Sequence, residues 1–166
     1  MKPDKATIYE LFQVEKRYVV PLYQRPYVWT REGQWEALWE DIESKARSAD
    51  HDQAPHFLGA IVLSQLPVST KQTAASQVID GQQRLTTLQV CLAAFRDVLG
   101  TLLEAAPTDE DSRQLGTIRK KLEAITRHEN FLGSKEEEFK VWPTNADREV
   151  FTQVMTAGSR QALDTR

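Results

Sequence analysis

Cysteine is almost missing from these 166 residues: Cys91 stands alone. No intrachain disulfide can form, and a reduced compartment is the simpler setting. Histidine is nearly as scarce, with only His51, His56 and His128 in three separate stretches. A zinc site is therefore excluded, because it needs several Cys or His ligands at close spacing. A His-and-metal nuclease centre is excluded for the same reason. No G-x-x-x-x-G-K-[ST] loop occurs. The N-terminus lacks the apolar stretch of a secretion signal, and no segment reads as a membrane span. These absences predict a soluble, cytoplasmic protein with no membrane partner. The net charge of −3 argues against bulk electrostatic binding of nucleic acid but leaves room for a local basic patch.

What is present suits one domain over residues 1–166, with a core of about 8–103 and a helical extension of about 109–158. The 40% apolar content is enough for a packed interior. A short helix is predicted over 4–13, capped by Asp4 or Thr7. "RYVVPLYQRPYVW" begins as a strand and is broken by Pro21 and Pro26. Thr30 is a candidate cap for a helix over 31–47 with Trp35, Leu38, Trp39 and Ile42 as a buried stripe. "HFLGAIVLSQL" reads as a strand joined through 67–75 to the partner strand "SQVID". A long helix over 83–103 would face Leu85, Leu88, Leu92, Phe95 and Leu99 inward, with Cys91 buried and inert beside them. Another, over 109–127, would use Leu115, Ile118, Leu122 and Ile125. "FKVWP" reads as a short strand, and a last helix would be capped by Asn145. Glu36, Glu40, Asp41 and Glu43 read as a solvated face, as does "SKEEEFK". The class is α+β, a small sheet surrounded by helices.

Chemistry concentrates in "VIDGQQRLTTLQ". A strand ends at Asp80, Gly81 allows a tight turn, and a helix begins. A helix N-terminus offers unpaired N–H groups and partial positive charge, which suits phosphate. Arg84 in its first turn could add bidentate contacts. Gln82 and Gln83 can donate and accept, so either could meet a base, a ribose or an attacking water. Thr86 and Thr87 could add hydroxyl contacts. Asp80 could hold Mg²⁺ through water. Each piece also has an ordinary reading, as a turn, a cap or a solvated side chain. In "PLYQRPYVW", a proline-framed loop sets Gln24 and Arg25 between aromatic residues, a common way to hold phosphate and base together. Trp29 reads there as a core anchor. Lys16, Arg17, Arg25 and Arg31 make this region the best landing place for a DNA backbone.

Four blocks, "VPLYQRPYVW", "WEALWEDI", "HFLGAIVL" and "VIDGQQRLTTLQ", resemble in order and interval the DGQQR-signature family, family 262 of domains of unknown function. That domain forms the N-terminal part of GmrSD-type modification-dependent restriction enzymes. It also occurs in phosphorothioate-dependent phage-defence effectors, taken here as the nearest relatives. The resemblance is strongest over about 8–100, with "FKVWPTNADREVF" a weaker later element that would bring Asn145 and Asp147 toward the site. It implies a fold similar to the ParB and sulfiredoxin group, and binding and hydrolysis of a nucleoside triphosphate, GTP or UTP favoured, with Mg²⁺. On this resemblance Asp80, Gln83 and Arg84 would be catalytic. Gln24, Arg25, Gly81, Gln82, Gln83, Arg84, Thr86 and Thr87 would bind nucleotide. The resemblance implies sensing of modified double-stranded DNA, phosphorothioate DNA above all. From their own chemistry, a partly apolar loop with retained positive charge, Pro21, Tyr23, Gln24, Arg25, Pro26, Tyr27 and Arg31 are the candidates for that contact. A C-terminal HNH-type nuclease domain of such relatives is expected as a partner and is not found among these residues. The chain is expected to be a fragment or a stand-alone N-terminal domain. A nucleotide-gated clamp with little turnover, and a DNA reader with a vestigial nucleotide corner, stay open as alternatives.

Overall fold

A computed structural model describes residues 4–48, 55–67, 72–129 and 134–159. Helix α1 (Ile8–Gln13) leads to β1 (Lys16–Val19). A π-turn (Arg31–Trp35) opens α2 (Glu36–Arg47), and β2 (Val62–Leu66) and β3 (Ala74–Asp80) form a hairpin. Then come the long α3 (Gln82–Glu104), α4 (Asp109–Thr126), the two-residue β4 (Val141–Trp142) and α5 (Arg148–Thr156). The sheet order is β2-β3-β1-β4, with β2 antiparallel to β3 and the other pairs parallel. This is the expected α+β arrangement of a small sheet and surrounding helices.

Local chemistry accounts for several boundaries. Thr7 caps α1 through a full capping box: Glu10 N–H donates to Thr7 Oγ1 at 3.2 Å, and Thr7 N–H donates to the Glu10 carboxylate at 2.7 Å. Thr30 caps the π-turn by accepting from Gly33 N–H at 3.2 Å. Helix α3 lies across two apolar clusters. Leu85 and Leu88 join Phe12, Tyr18, Val20, Val78, Ile125 and Val141; Ala93 joins Phe139, Trp142, Phe151 and Met155. By length and composition α3 could cross a membrane, contrary to expectation. Its polar residues Gln82, Gln83, Thr86, Thr87, Gln89 and Arg96 are buried against protein, so it serves as the core helix.

Other expectations are corrected. Helix α1 starts at Ile8, not residue 4. Only Val62–Leu66 of the 56–66 run is strand, because Gly59 (φ +102°) bends the segment before it. The apolar stripe of α2 is not buried: Trp35 and Trp39 are 43% and 51% exposed, and no residue of the helix is fully covered. Phe95 of α3 is likewise exposed and stacks on Trp39 instead of entering the core, while Ile118 of α4 faces outward. Cys91 is only half-buried, and burial raises its thiol pKa. Asp147, not Asn145, occupies the cap position of α5. "SKEEEFK" is not wholly solvated, since Glu137, Phe139 and Lys140 are buried. The acidic face of α2 is solvated as expected, with Glu36 and Glu43 paired to Arg31 and Arg47. His51 lies outside the described residues.

A buried polar group ties α1–β1 to the far end of the chain. The Glu15 carboxylate accepts from His128 Nδ1 at 2.6 Å and from Lys140 Nζ at 3.3 Å, and Lys140 also donates to Val14 O at 3.0 Å. The His128 and Lys140 side chains are almost completely covered. Burial pushes the Glu15 pKa up, but the His128 hydrogen bond and the Lys140 charge outweigh it, so the net shift is downward. Burial lowers the His128 pKa against the pull of Glu15. Both groups bind protons less readily folded than unfolded, so acid favours unfolding. Stability should begin to fall below about pH 6.5 through His128 and continue to fall below about pH 4.3 through Glu15. Glu15→Ala, which leaves the buried His128 Nδ1 unpaired and Lys140 with Val14 O alone, should cost roughly 1–2 kcal/mol after allowance for the carboxylate's exposure. Urea denaturation at pH 7 and pH 5 checks the His128 linkage and the cost of Glu15→Ala, and a curve at about pH 3.5 checks Glu15; a wild-type midpoint unaltered across the series would refute the linkage.

Candidate functional site

Strands β1 and β3 run parallel; β1 ends with Val19 opposite Gln77, and β3 continues to Asp80. The proline-framed loop leaves the end of β1, and α3 leaves the end of β3. Gly81 sits between β3 and α3 at φ +96°, a left-handed conformation that glycine adopts without steric cost. A Cβ there would also stand 3.0 Å from Ile61 Cγ1. The turn sends the chain straight from strand to helix. With glycine at the cap, α3 has no side-chain cap hydrogen bond, so its first N–H groups stay available.

A cavity of about 160 Å³ opens at this end, lined by Gln24, Arg25, Trp29, Ile79, Asp80, Gly81, Gln82, Gln83 and Arg84. The two motifs singled out in the sequence therefore meet, and Trp29, expected in the core, is a wall of the cavity instead. A larger cavity of about 690 Å³ lies between α3, α4 and α5. Its arginines are internally paired, Arg96 with Asp97, Arg119 with Glu123 and Arg127 with Glu138. The smaller cavity is the stronger candidate on charge. Among the described residues Arg25 has no carboxylate partner, and Arg84 has only Asp80 at 3.9 Å.

Each lining residue is held for a visible reason. Arg84 donates to Ala60 O, and its guanidinium lies under Gly59, where an added Cβ would come within 2.9 Å of it. Gly59 thus clears space for Arg84, a role that sequence reading missed. Arg84 Nε is buried without a partner among the described residues. Asp80 Oδ1 accepts from Gly81 N–H at 2.8 Å, while the side chain is 72% exposed. Gln82 Nε2 donates to Arg25 O at 2.9 Å. Gln83 Nε2 donates to Pro26 O at 3.1 Å, and Gln83 Oε1 accepts from Val28 N–H at 2.9 Å. Gln24 Nε2 returns the contact to Ile79 O at 3.1 Å. A water-orienting role for Gln82 or Gln83 competes with these bonds.

Some expected residues lie off the cavity. Thr86 and Thr87 are buried within α3, where Thr87 Oγ1 donates to Gln83 O at 2.8 Å. Tyr27 is half-buried, and its N–H donates to Asp147 Oδ2 at 3.0 Å; this brings Asp147 to the loop, whereas Asn145 is exposed. Pro21 is buried, whereas Tyr23, Arg25, Pro26 and Arg31 are exposed. Lys16 and Arg17 pair in register with Ala74 and Ala75, toward the other end of β3 from Asp80, so the basic cluster is divided. His56 pairs with Asp41 at 3.3 Å and His128 with Glu15, so neither serves the cavity. Among the described residues no group of three metal-binding side chains occurs. Among the described residues Asp80 is the only carboxylate lining the cavity, and it offers the kind of oxygen donor that magnesium takes.

At this corner an uncapped helix N-terminus and two arginines face one small polar cleft. Over residues 8–166 the chain matches the GmrSD restriction endonuclease N-terminal domain, and it belongs to that family. Membership gives it a role in restriction and defence, exerted on DNA together with the C-terminal nuclease part of such enzymes. No curated protein matches it in sequence.

Gly81→Ala should cost about 1–3 kcal/mol, because alanine must hold a positive φ and press on Ile61. Thermal unfolding measures it. An unchanged midpoint would contradict this corner geometry.

Proposed function

We propose that this domain binds a nucleoside triphosphate by its phosphates at the N-terminus of α3 and hydrolyses it. In this reading it is the sensing part of a cytoplasmic, modification-dependent restriction system. The observation that carries the proposal is the free N-terminus of the 23-residue α3, opening on a cavity with Arg25 and Arg84. The cavity volume of about 160 Å³ is below the usual range for a whole ligand, so it suits the phosphate chain, with base and sugar lying outside. The resemblance favours GTP or UTP. Arg84, Arg25 and the α3 N–H groups would bind and orient the phosphates and neutralise their charge. Mg²⁺, held through water by Asp80, would supply further charge neutralisation.

A gated clamp with slow turnover is the second reading, and one observation favours it. The glutamine amides are engaged on the loop backbone, and among the described residues Asp80 is the only acid lining the cavity, so no other carboxylate stands there to serve as a general base. Turnover and binding are therefore measured together, with GTP, ATP, CTP and UTP plus Mg²⁺, with and without phosphorothioate DNA. Turnover that rises with modified DNA supports the sensor. Binding without turnover supports the clamp, and absence of binding leaves a DNA reader. Arg84→Ala should weaken nucleotide binding roughly 10- to 100-fold, the worth of a charged hydrogen bond, with the circular dichroism spectrum retained. Equal affinity in that variant would remove the phosphate assignment.

For DNA, the exposed Tyr23 and Pro26 beside Arg25 suit a sulfur-substituted phosphate, which is larger and less hydrated than the ordinary group. Tyr23→Ala should lose the preference for phosphorothioate over plain duplex in a competition assay while keeping a salt-dependent affinity for both. A preference that survives the substitution would locate the sensor elsewhere.

A further inference from the structure

The glutamines of the corner spend their side chains on main chain from another part of the sequence. Gln82 holds Arg25 O, and Gln83 holds both Pro26 O and Val28 N–H. Behind them runs a chain of hydroxyl contacts. Trp35 Nε1 donates to the Tyr27 hydroxyl at 2.6 Å, Tyr27 Oη lies 2.6 Å from Thr87 Oγ1, and Thr87 Oγ1 donates to Gln83 O at 2.8 Å. Each hydroxyl has one hydrogen, so the direction is determined: Thr87 spends its proton on Gln83 O and must accept from Tyr27, which in turn accepts from Trp35. The relay therefore runs in one sense from the start of α2 to the first turn of α3.

What this relay holds is not anchored by a buried side chain; Asp41 of α2 also pairs with His56 at 3.3 Å. Helix α2 has no fully buried residue. Its aromatic contacts to the rest of the chain are Trp35 against Tyr27, with ring centres 6.3 Å apart, and Trp39 against Phe95, also at 6.3 Å. It begins in a π-turn, a feature often found where a helix serves a function. Arg25 sits in the loop that the glutamines grip and also lines the cavity.

We infer that Gln82, Gln83, Tyr27 and Thr87 are positioning residues that join anion occupancy of the cavity and the seating of the 24–35 segment into one equilibrium. The inference rests on the nucleotide-binding reading and names its regulation. A ligand can shift such an equilibrium only through a contact that differs between the two states. Arg25 supplies that contact: with the loop clasped its charge lines the phosphate cavity, and with the loop released it leaves. Bound nucleotide therefore favours the clasped loop, and the clasped loop presents Tyr23 and Pro26 in one fixed arrangement. By reciprocity, DNA that prefers this arrangement tightens nucleotide binding by the same factor.

The experiment uses a non-hydrolysable GTP analogue with Mg²⁺, calorimetry for affinity and amide hydrogen exchange for segment 24–35. In the wild type the analogue should slow exchange across this segment at least ~10-fold, within the usual range of coupling. Gln83→Met should bind the analogue more weakly, through Arg84 and the α3 N–H groups, because Arg25 is no longer held at the cavity, and should lose that protection. Tyr27→Phe, which keeps the ring, cuts the relay at both Trp35 and Thr87; it should lose protection at 31–35 and keep it at 24–26, and it serves if Gln83→Met does not fold. Analogue bound with no change in exchange, or protection intact in both variants, overturns the inference and leaves the nucleotide reading standing. No binding to the wild type in calorimetry overturns both.

Discussion

The backbone at Gly81 stands at φ +96°, and the site is assembled around that angle. The turn places the start of α3 directly beyond the end of β3, against the loop that leaves β1. A residue with a capping side chain would satisfy the first N–H groups of the helix, a contribution of about 1 kcal/mol that this helix forgoes. Burial of α3 across both apolar clusters offsets the loss. A rigid, well-buried helix thus keeps an open end, and that open end gathers Arg84, Gln82 and Gln83 within reach of a loop some 57 residues earlier in the chain.

Two kinds of polar residue share this corner and do different work. Arg25 and Arg84 keep charge available, because the acids that could neutralise them are distant or singly placed. Gln82, Gln83 and Gln24 use their amides on main-chain groups and so act as joints between segments. The division is one of charge: an amide bridges two backbone groups without adding charge, whereas Arg84, although it also donates to Ala60 O, keeps a full positive charge at the cavity wall. In a family of restriction enzymes acting on DNA, this gives one small domain both a place for phosphate and a surface whose position can depend on it.

A good part of this was legible in the sequence. The Thr7 and Thr30 caps, the hairpin leading into "VIDGQQR" and the strand-to-helix turn at Gly81 follow from short-range rules, and each is found. The meeting of the Gln24–Arg25 and Asp80–Arg84 stretches came from the family resemblance and from the repeated Gln-Arg pair. Periodicity misled where it was asked for more than it contains. Trp35, Trp39, Phe95 and Ile118 fall on apolar faces, but spacing says only that a face is apolar, not that anything covers it. In the same way Lys140 looked solvated because its neighbours in sequence are charged. Its burial depends on Glu15, 125 residues away.

The sequence by itself determined the elements and the chemical character of the corner, since capping, glycine conformation and strand–helix patterning act within a few residues. Only the tertiary structure decided what each side chain does there: that the glutamines grip a loop instead of facing a ligand, that Gly59 makes room for Arg84, that Trp29 is a wall and that Thr87 belongs to a relay. Those roles are set by which donor finds which acceptor once strands β1 and β3 lie side by side. Such pairings are fixed by distances in space, which no local pattern encodes.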